Sequence, residues 1–136
     1  MNFEFTYPFL NQANDSNDPE LLDRLAQHPN FRVRVAVASN ESTSGSTLAL
    51  LYSDRMWMVA VSVIRNRNVP RNIVDAALLH RNPIMVGFAL SNSQVSADEV
   101  MQAVQNIEFD RASKRDICLN LNLSDEQRQE IQGGRG

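Results

Sequence analysis

Apolar positions in this chain return at a fixed interval, each group following the same short polar punctuation. Asn40, Asn66, Asn92 and Asn120 recur at spacings of 26, 26 and 28 residues. Three positions after each Asn stands Thr43, Val69, Val95 or Leu123, and the next is Ser44, Pro70, Ser96 or Ser124. Serine suits a helix N-cap and proline the opening turn of a helix. Eight after each Asn come Leu48, Val74 and Val100, and eleven after come Leu51, Ala77 and Ala103. One period back from Asn40, the same offsets fall on Leu22 and Leu25, whereas the last copy keeps only Ile131, as a terminal repeat does.

This spacing is helical, and it predicts a first helix in each repeat at about 19–27, 45–53, 71–80 and 97–106. A second apolar run precedes each Asn: Val33–Ala38, Val59–Ile64, Met85–Leu90 and, weakly, Ile117–Leu119. Alternation and β-branching in the first of these also fit a strand. Their length, as in Asn30–Ser39 and Met56–Arg65, and their alanines and Met58 favour a buried second helix. The Asn then closes that helix, a residue tolerant of the left-handed C-cap conformation. The expected fold is all-α, a short right-handed solenoid of four to five two-helix repeats (about 19–44, 45–70, 71–96 and 97–124), with 1–18 and 125–136 at its ends.

The segment Leu25–Asn40, read Leu-Ala-Gln-His-Pro-Asn-Phe-Arg-Val-Arg-Val-Ala-Val-Ala-Ser-Asn, resembles the leucine-rich repeat variant, a right-handed α-solenoid unit similar in style to HEAT repeats. Val33, Arg34, Ala36, Val37, Ala38 and Asn40 match its pattern position for position, and Val59, Val63, Asn66, Ala89 and Asn92 continue it in later copies. The resemblance implies short helices, some of them 3₁₀, and a mostly bacterial origin, in a bacterium or a phage. Some members of that family bind an iron–sulfur centre through a cysteine cluster. This chain has one cysteine, Cys118, so neither that centre nor an intramolecular disulfide is expected.

Composition narrows the function classes. At 136 residues, 43% hydrophobic and 21% charged, the chain has room for one domain with a real core. Nothing in it approaches a membrane span, and its start, with Glu4 and no Lys or Arg before Leu10, does not read as a signal peptide. A single cysteine fits the cytoplasm, the expected location. No Gly-rich phosphate loop, nucleophile elbow or His-Glu-x-x-His is present, so no catalytic residue, cofactor or metal is assigned and the chain reads as a non-enzyme. His28, Asp54 and His80 share one offset in successive repeats. Layers near 10 Å apart put the two histidines roughly 20 Å apart, so they read as helix-terminal polar caps.

Charge points to one stretch. Residues 1–23 carry five acids and no base, residues 24–81 eight arginines against three acids, and residues 82–136 eight acids against five bases. Repeat slabs present extended surfaces for proteins or nucleic acids. The candidate partner-binding residues are Arg32, Arg34, Arg55, Trp57, Arg65, Arg67 and Arg71, with Trp and Arg the favoured anchors of interfaces. In register, Arg65 and Arg67 lie over Ser39 and Glu41, and Glu41 partly neutralises them. The expected function is binding another protein, as adaptor or inhibitor. The alternative is nucleic-acid binding through the Arg-rich face of 24–81. The alternating Phe3, Phe5, Tyr7 and Phe9 suit an extended binding arm or, preferably, a cap over the first repeat, and Ser42–Ser46 with Gly45 reads as a flexible turn. Gly133–Gly136 reads as a frayed tail, and Cys118 as a buried, inert thiol.

Overall fold

A computed structural model describes residues 3–133, with side chains from Tyr7 onward. The described residues form ten helices and no strand: α1 (Phe3–Asp15), α2 (Pro19–Leu25), α3 (Phe31–Ser39), α4 (Gly45–Tyr52), α5 (Trp57–Arg65), α6 (Arg71–Leu78), α7 (Pro83–Leu90), α8 (Ala97–Asn106), α9 (Arg111–Ile117) and α10 (Asp125–Gln132). No helix among the described residues is long and apolar enough to cross a membrane. The chain divides into two compact units, Met1–Pro70 and Arg71–Gly136, and the break falls at the junction of the second and third sequence repeats.

Local chemistry sets the boundaries. The Ser44, Ser96 and Ser124 side chains accept the N3 amides of α4, α8 and α10, and at Ser96 and Ser124 the N3 Glu99 or Gln127 answers with a full capping box. Asp18, Asn30 and Asn82 cap α2, α3 and α7 by accepting the N2 amide, and Asp110 caps α9 by accepting the N3 amide. Gly45 is the first residue of α4 rather than part of a flexible turn, and a Cβ there would stand 3.1 Å from Pro70 Cγ. The N-terminal segment is helical from Phe3, not an extended arm; the Phe3 and Phe5 side chains and the tail 134–136 lie outside the described residues. Helix geometry places Tyr7 and Phe9 at different azimuths, so the alternation that suggested one sticky edge has no strand to act on.

In the first unit, α3 packs against both α1 and α5, while α2 and α4 lie against α3 and α4 also against α5. Its core is Ala13, Leu22, Val33, Val37, Leu48, Val59, Val63 and Ile64, each fully buried. In the second unit α7 packs against α6 and α9, and α10 against α8 and α9. Val74, Ala77, Ala89, Val95, Val100 and Ile117 are fully buried there.

The Asn residues that end α3 and α5 do not adopt the expected left-handed cap, and α7 and α9 end at Ser91 and Cys118 instead of at the Asn. Asn40 (φ −80°, ψ 126°) and Asn66 (φ −73°, ψ 123°) are extended. Their side chains work instead across helices. The Asn40 Nδ2 donates to Ala13 O at 2.8 Å and Ser16 O at 2.9 Å, and the Asn66 Nδ2 to Ala38 O and Asn40 O, both at 2.9 Å. In the second unit the Asn120 Nδ2 donates to the carbonyls of Leu90, Asn92 and Val95. Each Asn Oδ1 meanwhile accepts the amide two residues on, from Ser42, Asn68, Gln94 or Asn122, closing an Asx turn. Carbonyls left over at a helix end must find donors, and here the neighbouring Asn supplies them. An extended backbone is what lets one amide side chain serve its own turn and the preceding helix together.

Candidate partner-binding surface

The arginines of the basic stretch divide into those committed within the fold and those on its outside. Arg34 is buried on α3. Its Nε meets Asp54 Oδ2 at 2.7 Å and one Nη reaches Asp54 Oδ1 at 3.3 Å, while the other Nη donates to His28 O at 2.8 Å and Pro29 O at 3.1 Å. Asp54 in turn accepts the Met56 amide at 2.9 Å just before α5. Burial pushes the Asp54 carboxyl up, but the hydrogen bonds from Arg34 and the Met56 amide, with the charges of Arg34 and Arg55, outweigh it and hold the group below its usual value. This clamp ties α3 to the turn that starts α5.

His28, Asp54 and His80 each have a local purpose. His28 Nδ1 accepts the Asn30 amide and His80 Nδ1 the Asn82 amide, each at 3.0 Å, as Asp54 does for Met56. Each closes the turn ahead of a second helix. No group of three or more potential metal ligands exists among the described residues.

Arg67 and Arg71 are also engaged. Arg67 meets Glu41 Oε1 at 3.0 Å with both side chains well exposed, the neutralisation anticipated from register. Arg71, in the second unit, bonds Asp75 at 2.8 Å, Glu99 at 2.7 Å and the Gln94 carbonyl at 2.6 Å. Glu99 lies below its ordinary carboxylate value, first because the Ser96 amide donates to it and then because Arg71 does.

Outside these pairs, one face of the first unit combines apolar and cationic groups. Trp57 and Met58 open α5 and are 42% and 56% exposed. Val61 and Arg65 follow at intervals of four from Trp57, along one side of that helix, and Arg65 is exposed. Arg32 occupies on α3 the place that Met58 holds on α5, and its guanidinium stands 5.2 Å from the Phe31 ring. Exposed Arg55 sits in the turn before α5. The structure therefore gathers Arg32, Arg55, Trp57 and Arg65 on the α3–α5 pair, and holds Arg34 inside it.

Met58 belongs with these four and went unassigned from sequence. Beside Trp57 in an apolar run it looks like core, and only its azimuth on α5 exposes it. Cys118 is a buried free thiol whose Sγ lies 3.7 Å from Arg128 O; burial raises its ionisation above the ordinary value against the opposing charge of Arg128. It has the environment of a packing residue.

No family model, no curated protein and no solved structure matches this chain.

Proposed function

We propose that this chain is a short α-solenoid of the leucine-rich repeat variant style and works as a non-enzymatic protein-binding module, an adaptor or an inhibitor. The exposed Trp57 and Met58 at the head of α5, bordered by Arg32, Arg55 and Arg65, carry the reading. Aromatic side chains and arginine anchor interfaces, and a rigid helix presents them at little entropic cost. The chemistry fits a partner segment with one or two apolar side chains and acidic neighbours. The ion pairs of Arg34, Arg67 and Arg71 favour a protein over nucleic acid, because those three charges already have carboxylates beside them.

The test compares capture from host lysate by the wild-type chain, by Trp57→Ala/Met58→Ala and by Leu50→Ser, an exposed apolar residue on α4. A protein retained by the wild type and by Leu50→Ser but lost with the double substitution supports the reading. Loss of an anchor of this kind weakens binding by about 2 kcal/mol, roughly thirtyfold. Capture indifferent to Trp57 and Met58 would sink it. Labelled DNA and RNA titrated at low and physiological salt decide the alternative: salt-sensitive binding abolished by Arg55→Glu/Arg65→Glu would make the face a phosphate reader.

A further inference from the structure

The second unit carries a basic cleft that the charge balance of its sequence conceals. Residues 82–136 hold more acids than bases, yet Arg111, Lys114 and Arg115 on α9, with Gln132 on α10, line a cleft of about 500 Å³. Spacings of three and four residues put the three cations on one side of α9, with Cβ atoms one turn apart about 6 Å from each other. Among the described residues none of the three is in an ion pair. Asp116 follows Arg115 directly on α9 and makes no ion pair among the described residues. Asp110 accepts the Ser113 amide at 2.7 Å, and Glu108 and Glu130 line a smaller cleft of about 260 Å³ that shares Lys114 as its border.

Like charges one helical turn apart repel, so three cations held together without an ion pair favour an anion between them. The guanidinium fork matches phosphate oxygens two at a time, and Lys114 adds a point charge with three donors. Gln132, from the other helix, offers an amide donor in the same cleft. The volume lies in the range of small-ligand sites.

We infer that the Arg111–Lys114–Arg115 cleft binds the phosphate groups of a small diphosphate-bearing ligand. A diphosphate carries enough charge for all three cations and is long enough to be held by both arginines, which a single monovalent anion is not. The site is separate from the α3–α5 face and does not depend on it.

Inorganic pyrophosphate and a nucleoside diphosphate are the probes, titrated into the ¹⁵N-labelled full chain at about 50 mM salt, where phosphate contacts are little screened. The expected result is saturable movement of the amide signals of residues 110–116 and of Gln132, with a dissociation constant of about 1 mM or below. Equal affinity for the two probes assigns recognition to the phosphates alone, and tighter binding of the nucleotide adds its base or sugar; either supports the site. The double substitution Arg111→Gln/Arg115→Gln is expected to weaken binding about tenfold or more, and Arg81→Gln, at an exposed arginine outside the cleft, to leave it unchanged. Should the double variant lose its helical circular dichroism, Arg111→Gln and Arg115→Gln singly are each expected to weaken binding about threefold. No saturable shift, shifts centred outside α9 and α10, or binding untouched by these substitutions overturns the inference.

Discussion

The α3–α5 pair of the first unit and the α7–α9 pair of the second share one Asn arrangement and are joined by different means. In both, an Asn after the later helix caps carbonyls of the earlier one, through Asn66 in one and Asn120 in the other. Between the helices the solutions diverge. The first pair sets a charged side chain into the contact, Arg34 fastened to Asp54. At the equivalent position the second pair has Val86, which is buried, and the helices approach closely at Gly87, where a Cβ would lie 3.3 Å from Ser113 Cβ and 3.9 Å from Ile117 Cγ1. The Asn ladder and apolar stripe are therefore the skeleton of the repeat, while the filling between its helices is free to change.

The sharpest way to break the comparison is at the clamp. Arg34→Ala leaves the Asp54 carboxylate without its guanidinium in a site where its side chain is 10% exposed, and we expect a loss of about 3–5 kcal/mol. Val86→Ala, the matching site in the second unit, removes two methyls and is expected to cost about 1–2 kcal/mol. Both losses are read from circular dichroism of the full chain in denaturant titrations. Equal losses from the two substitutions would show that the clamp adds nothing beyond packing.

The clamp also carries a pH signature. Asp54 titrates below its unfolded value, so its contribution is complete above the ordinary carboxylate range, near pH 4, and disappears as pH falls through the depressed folded value. The stability gap between wild type and Asp54→Asn is accordingly expected to shrink on acidification below about pH 4. A gap constant from pH 7 to pH 3 would remove the charge pair from the account.

Next in size is the shared ladder. Asn120 is fully buried, and Asn120→Ala strips a donor from three carbonyls. The expected cost is about 2–3 kcal/mol, read from circular dichroism and from faster hydrogen exchange in α7 and α9. Asn66→Ala is expected to cost a similar amount in the first unit, about 2 kcal/mol, with two carbonyls released. If only one of the two matters, the ladder is not the common skeleton.

Gly87→Ala is smaller. Alanine gains up to about 1 kcal/mol of helix propensity, but the new Cβ meets a Cβ, which moves only with the backbone of α9, and overpacking of this kind costs about 1–3 kcal/mol. A net loss of about 1 kcal/mol is expected, reduced when Ser113→Gly opens the opposite side. Stabilisation by Gly87→Ala alone would mean that the approach is not limiting. Last, Arg67→Ala, which breaks an exposed pair with Glu41, is expected to change stability by less than about 0.5 kcal/mol.

Element positions were readable in the sequence because helix signals are local. Apolar residues at offsets of eight and eleven from Asn40, Asn66 and Asn92 marked α4, α6 and α8, whereas α10, with Arg128 at the first offset, was expected only as a terminal segment; the boundaries found for α3 and α5 differ from those expected by one residue. The aromatics at alternate positions imitate a strand and Pro8 stands inside the helix, yet residues 3–15 form α1, which packs against α3. Among the candidate contacts, Arg67 over Glu41 followed from register alone, since one period separates the two. The fate of Arg34 did not. Its partner Asp54 lies 20 residues away, off the period, and a guanidinium one turn from Asn30 gives no local sign of pointing inward.

What the chain determined by itself is thus the list of helices, their caps and the apolar stripes that must be covered, all of which rest on interactions within about four residues. What only tertiary structure decided is which polar groups meet. The Asn side chains close their own turns through Oδ1 and also give Nδ2 to carbonyls of the preceding helix, as Asn66 and Asn120 do. Those carbonyls, buried by packing, have no water to bond, and an unpaired buried carbonyl costs more than the conformation that satisfies it. The same rule places Arg34 beside Asp54 inside the first unit, while Arg32, Arg55 and Arg65 keep exposed side chains.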